Sequence, residues 1–112
     1  MADQQKRLWI GMVEVRPLGQ KSETLGAMKG AFVNIVTWAS NTEDYRHNAE
    51  LIVGKFGDLF VSEVIGPEPV EARRARAGGQ FEESIEDMIS RAAANSNAII
   101  YGTFHTFEKD NA

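Results

Sequence analysis

Two stretches of this chain carry the same apolar spacing, and that shared pattern narrows the folds open to it. Tyr45, Ala49, Ile52, Val53 and Phe56 fall at i, i+4, i+7, i+8 and i+11, and so do Phe81, Ile85, Met88, Ile89 and Ala92. On a helix each set forms one stripe, so each helix must lay one side against another apolar surface. The intervening segments supply that surface. Residues 8–16 (LWIGMVEVR), 31–39 (AFVNIVTWA), 59–65 (LFVSEVI) and 98–107 (AIIYGTFHTF) are dense in β-branched and aromatic residues and read as strands.

The punctuation between these segments agrees with that reading. Pro17 ends the first strand, because proline has no amide to give a ladder. Ser40 and Glu43 have capping-box spacing at the start of the first helix, and Gly57 suits the left-handed residue beyond its end. The second helix spans 81–94, with Glu82 and Glu83 near its start and Arg91 near its end, as the helix dipole favours. Two long connections remain. Residues 17–30 are expected to hold one helical turn around Ser22 to Met28, and residues 66–80 carry Arg73, Arg74, Arg76 and a Gly78-Gly79 pair. Connections of this length are either functional or plain surface excursions.

The resulting order is β-β-α-β-α-β. Two singly striped helices cover one face of a four-stranded sheet, which predicts an α+β, two-layer sandwich with both helices on the same side. Right-handed crossovers would make strands 2 and 3, and strands 3 and 4, parallel. With strand 1 antiparallel to a neighbour, the sheet is expected to be mixed. Ile52, Phe56, Ile85 and Ile89 are expected between helices and sheet. A chain of 112 residues suits one domain over 1–112, with 1–7 and 108–112 as flexible ends.

Composition bounds the function. The apolar share of 43% and the charged share of 25% are those of a globular chain. The net charge of −4 disfavours broad nucleic-acid binding, which needs a basic surface to displace counterions. Without cysteine there is no disulfide, thiolate zinc site or thiol nucleophile. The polar first residues lack the apolar core of a signal peptide, and no run is long enough to span a bilayer. The expectation is a soluble cytoplasmic protein that does not engage membranes.

Motif chemistry is sparse. There is no HExxH, no EF-hand loop, no Walker A sequence and no GxGxxG, so neither a metal nor a cofactor is expected. His105 is the most interesting titratable residue, since strand alternation would put Tyr101, Thr103, His105 and Phe107 on one face. Glu14 or Glu63 could partner it in acid–base work if they share that face. Arg73, Arg74 and Arg76 could grip a phosphate or an acidic partner, or could pair with Glu68, Glu71 or the acidic start of the second helix within the chain. Glu82, Glu83, Glu86 and Asp87 make the start of the second helix acidic, which would suit a basic protein partner.

These features favour a non-enzymatic binding or interaction module of regulatory, inhibitor or immunity type over an enzyme. One alternative is a small enzyme or small-ligand binder working around His105. Another is local phosphate or nucleic-acid recognition by the arginine connection. Several strands are apolar on both faces, where a solvated face would alternate with polar residues. A homodimer joined through the sheet follows as an expectation, with Trp9, Trp38, Tyr101 and Phe107 at its interface.

Overall fold

The computed structural model describes residues 5–20 and 22–108, so the expectation of flexible ends falls mainly on residues outside that span. The elements run β1 (Arg7–Pro17), β2 (Gly30–Ala39), α1 (Thr42–Gly54), β3 (Leu59–Pro69), α2 (Val70–Arg76), α3 (Glu83–Ala93), β4 (Ile99–Tyr101) and β5 (His105–Phe107). The α+β class and the alternation of strands and helices are as read from the sequence. The differences are β3, which continues past the expected stop at Gly66 to Pro69, α2, which lies inside the expected 66–80 connection, and the division of the last strand in two. Among the described residues no helix is long and apolar enough to cross a membrane.

The strands form one open sheet in the order β3-β1-β2-β4, with β5 also pairing β2. Every ladder is antiparallel, so the sheet is not mixed. Strand β3 does run in the same direction as β2, as a single intervening helix dictates. It docks on the far side of β1, however, so the two never pair. Strand β4 runs opposite to β3 because two helices join them instead of one. Together α2 and α3 return the chain to the end of the sheet that β3 has just reached.

The helices lie on opposite faces of the sheet, not on one. Tyr45, Ala49 and Val53 of α1 pack with Trp9, Val13, Val15, Val33 and Ile35. Val70 of α2 and Ile85, Met88, Ile89 and Ala92 of α3 pack with Ile10 and Val36. Neighbours along a strand point to opposite faces, so these two clusters sit on either side of the same two strands. The physical reason is the apolarity of both faces of β1 and β2. Each face needs cover, and the chain has enough helix to provide some on both.

The expected stripes are the packed sides. On α3 the buried set is Ile85, Met88, Ile89 and Ala92. On α1 Tyr45, Ala49 and Val53 are buried, while Ile52 and Phe56 are half-buried against the same cluster. Tyr45 fits because Gly11 has no side chain, since a Cβ there would come 2.9 Å from the phenol oxygen. The hydroxyl donates to the Ile35 carbonyl at 2.7 Å, and burial pushes its pKa up.

Local capping differs by one residue from the sequence reading. The N-cap is Asn41, whose side chain accepts from the Asp44 amide at 2.8 Å, while the Ser40 amide and hydroxyl both donate to the Asp44 carboxylate. Gly57 takes a φ of 81°, the left-handed turn expected of it. Among its described residues the 17–30 connection holds no helical turn. Ser22 and Gly26 instead form an isolated bridge, and Leu25 is buried in the α1-side cluster. Asp58 fastens this loop by accepting from the Ser22 hydroxyl and from the Thr24 amide and hydroxyl. Those bonds hold its carboxyl below the ordinary range.

Candidate functional site

The face that carries α2 and α3 is only half covered. Those helices sit over Leu8, Ile10, Val36 and Ile100. Further along the strands three cross-strand rows have none of the described helices packed over them. Facing residues in an antiparallel pair project to the same side, so the register places Asn34, Met12 and Ile65 in the first row. His105, Phe32, Glu14 and Glu63 form the second, and Phe107, Gly30, Arg16 and Phe60 the third. Met12, Phe60 and Ile65 are 37%, 42% and 36% exposed, although they are large apolar side chains. Phe32 and Phe107 meet with ring centroids 5.2 Å apart. The Arg16 guanidinium lies 5.4 Å from the Phe107 centroid and donates to the Glu14 carboxylate at 2.7 Å.

This half-face answers the question posed by His105. Glu14 and Glu63 do share its face and its row. Phe32 stands between His105 and Glu14, two strand spacings of about 4.8 Å away, so the three do not form a hydrogen-bonded set. Tyr101 is not on that face. It pairs with Ile35, whereas His105 pairs with Phe32, so four residues of the edge span three of β2. That extra residue is a bulge, and it turns the side chains beyond it to the other side. Tyr101 accordingly meets Phe56 of α1, with centroids 5.4 Å apart. Phe104, in the bulge, packs on Phe56 as well.

The bulge also opens a cleft. A cavity of about 550 Å³ lies between α3 and residues 101–105, lined by Asn34, Glu82, Ser84, Asp87, Met88, Arg91, Thr103 and His105 among others. Met88 reaches its floor because Gly102 leaves room, since a Cβ on Gly102 would come 3.2 Å from the sulfur. The Gly102 amide donates to the Asn34 carbonyl at 3.0 Å and pins the bulge to β2.

The arginine connection is a set of internal ion pairs. Arg73 donates to Glu68 at 2.8 Å and to the Gly66 carbonyl, and Arg76 donates to Glu68 through both terminal nitrogens. Arg74 forms a fork with Glu86 at 2.6 and 3.0 Å and lies over the Phe81 ring. These guanidiniums hold the Glu68 and Glu86 carboxyls below the ordinary range. The geometry matches the intramolecular reading of these residues.

The four aromatic residues named for a dimer interface are not gathered together. Trp9 is buried under α1. The Trp38 indole donates to the Ala92 and Asn95 carbonyls at the end of α3. Tyr101 lies on the α1 side, and Phe107 alone belongs to the bare half-face. The sequence reading did not single out Phe60 or Asn34 as site residues. The signal available for them was the apolar density of β2 and β3, which did not reveal how far the helices extend over each face. Among the described residues no group of three or more His, Asp or Glu side chains is placed to hold a metal ion. Compared with protein-family models, with curated proteins and with solved structures, the chain matches none.

Proposed function

We propose that this chain is a non-enzymatic interaction module that docks through the bare half of its sheet, and that its occupant there is a second copy. The observation that supports the reading is the exposure of Met12, Phe60 and Ile65 on the same side of the sheet as the Phe32–Phe107 pair, with Glu14, Arg16 and Glu63 among them. Scattered exposed apolar residues are ordinary, whereas a contiguous set marks an association site.

Geometry restricts how two copies meet. Stacked sheets pack about 10 Å apart, and α2 and α3 occupy that space over the other half-face. Two bare halves therefore approach only with the sheets offset along their strands. The helices of each copy then stand beyond the end of the other's sheet. A two-fold contact sets one surface against itself, so it must be self-complementary. This one carries both signs of charge, Arg16 and the carboxylates Glu14 and Glu63, among apolar side chains. A module of this kind suits regulatory, inhibitor or immunity roles, in which the chemistry is association.

Light scattering over a concentration series tests the reading. The mass is expected to rise towards twice the 12.4 kDa of one chain. A mass that stays at 12.4 kDa up to about 100 μM, where even a micromolar pair is mostly associated, overturns it.

A further inference from the structure

We infer that the cleft between α3 and the Gly102 bulge is a binding site for a small hydroxylated cation, of the size and chemistry of an amino sugar. The cavity of about 550 Å³ lies within the range of small-molecule sites, roughly 300–1,000 Å³. Bulges commonly stand beside such sites, because they re-aim side chains at the edge of a sheet. Here the bulge lies between Asn34 on β2 and Met88 on α3, and Thr103 and His105 follow it along the far wall.

Several polar groups lining the cleft, unlike the carboxylates that fasten the fold, are not engaged by other described residues. Glu68, Glu86, Asp44, Asp58 and Glu14 are all engaged by donors within the chain. Around the cleft, by contrast, the Asn34 amide, the Ser84 and Thr103 hydroxyls and the Glu82 carboxylate have no side-chain hydrogen bond among the described residues. These four supply donors and acceptors of the kind that recognise hydroxyl groups. The apolar floor made by Met88 and Ile85 can take the carbon face of a ring.

Charge selects within that class. Arg91 is drawn to Asp87, at 3.7 Å, which leaves Glu82 as the carboxylate without a cation. An ammonium can complete Glu82, whereas a second carboxylate brought by the ligand would meet like charge. A hydroxylated amine is therefore favoured over the neutral sugar and over the corresponding acid.

The inference does not rest on self-pairing, and its test is arranged so that the two can fail separately. Amide-resolved NMR titration with glucosamine, glucose and glucuronate is run on the parent chain and on Phe60→Lys, which disrupts the bare face on β3, away from Asn34. Glucosamine is expected to shift the amides of Asn34 and of residues 102–105, with a dissociation constant on the order of millimolar. Glucose is expected to bind about tenfold more weakly, and glucuronate more weakly still. Glu82→Gln should erase the advantage of glucosamine over glucose while retaining glucose binding. Asn34→Ala should weaken both sugars. No shift with glucosamine at about ten times that constant, in either background, overturns the inference, as does glucuronate binding as well as glucosamine.

Discussion

Phe107 lies directly across Gly30. The two residues pair between β5 and β2, and a Cβ on Gly30 would stand 2.7 Å from the phenyl Cζ and 2.6 Å from the Val15 carbonyl oxygen. Because Gly30 offers no side chain, the ring settles onto the sheet, where Phe32 and Arg16 meet it. One corner of the bare half-face is built on that vacancy. Gly30→Ala is therefore expected to cost about 1–3 kcal/mol, since a backbone oxygen cannot rotate away as a side chain can. Denaturant unfolding measures the loss. Hydrogen exchange at the Lys29 amide, which donates to the Phe107 carbonyl, should also quicken if β5 lifts away. An unchanged midpoint with unchanged exchange would show that the site relaxes freely.

Ile89 tests the packing of α3. Its side chain is buried with Ile10 and Val36 on the α2–α3 side of the sheet. Ile89→Ala is expected to cost about 2–5 kcal/mol, the range for a packed site that cannot collapse. Leu51→Ala, at a position 49% exposed on α1, should stay within about 0.5 kcal/mol. Urea midpoints for both variants decide the matter, and equal midpoints would refute the assigned face of α3.

These positions also show what was legible in the sequence. The α3 stripe was readable because its apolar residues recur over three turns and can only be a helix side. Helix α2 was not, since its seven residues expose no stripe and only Val70 is buried. Missing it had a large consequence, because one helix after β3 predicts a parallel β4 and two predict an antiparallel one. The cap at Asn41 was hidden by a neighbouring serine with the right spacing to Glu43. The bulge at Gly102 was hidden as well. Alternation along a strand assumes that every residue pairs, and one extra residue placed Tyr101 and His105 on opposite faces. The shared face of His105, Glu14 and Glu63 needed that same bulge, so periodicity alone could raise the question but not answer it.

Glu68 makes the stability dependent on acid. Hydrogen bonds from Arg76 and then Arg73 hold its pKa down from 4.5 to about 2. A carboxylate with a lowered folded-state value stabilises the fold fully above its unfolded value. That contribution is lost as the pH falls from near 4.5 towards about 2. Glu68→Gln should therefore be less stable than the parent at neutral pH, and the gap should close across that interval. Asp44, Asp58 and Glu86 are also lowered, but they are common to both proteins and cancel in the difference. A gap that stays constant down to pH 2 would mean that the ion pairs contribute nothing.

The arginines of α2 predict a loss of stability from their removal. Arg73 joins Glu68 to the Gly66 carbonyl, and Arg74 joins Glu86 to the Phe81 ring. Exposed pairs contribute little singly, so Arg73→Ala with Arg74→Ala should lower the melting temperature modestly, the lost stacking adding to the loss. Thermal unfolding measures it. Unchanged stability would detach these arginines from the fold and return them to ligand recognition.

Self-pairing through the bare half-face makes the most specific demand. Met12 and Ile65 face each other across β1 and β3, and both remain more than a third exposed in one chain. Lysine at both positions places two ammonium groups on the surface that would meet its own copy. In the paired state each would lose water among apolar side chains, a cost of several kcal/mol per ion. In the single chain both stay solvated, so the fold should lose no more than about 1 kcal/mol. Met12→Lys with Ile65→Lys is therefore expected to scatter light as a 12.4 kDa particle under conditions in which the parent is paired. Leu51→Lys, on α1 and hence on the opposite face, should leave the pair intact. Pairing driven by apolar burial should also survive about 1 M salt, where the Debye length falls to about 3 Å and surface charges cease to matter. A double-lysine variant that still pairs would place the interface elsewhere, and a parent that separates in salt would mean that charge, not the apolar surface, holds the copies together.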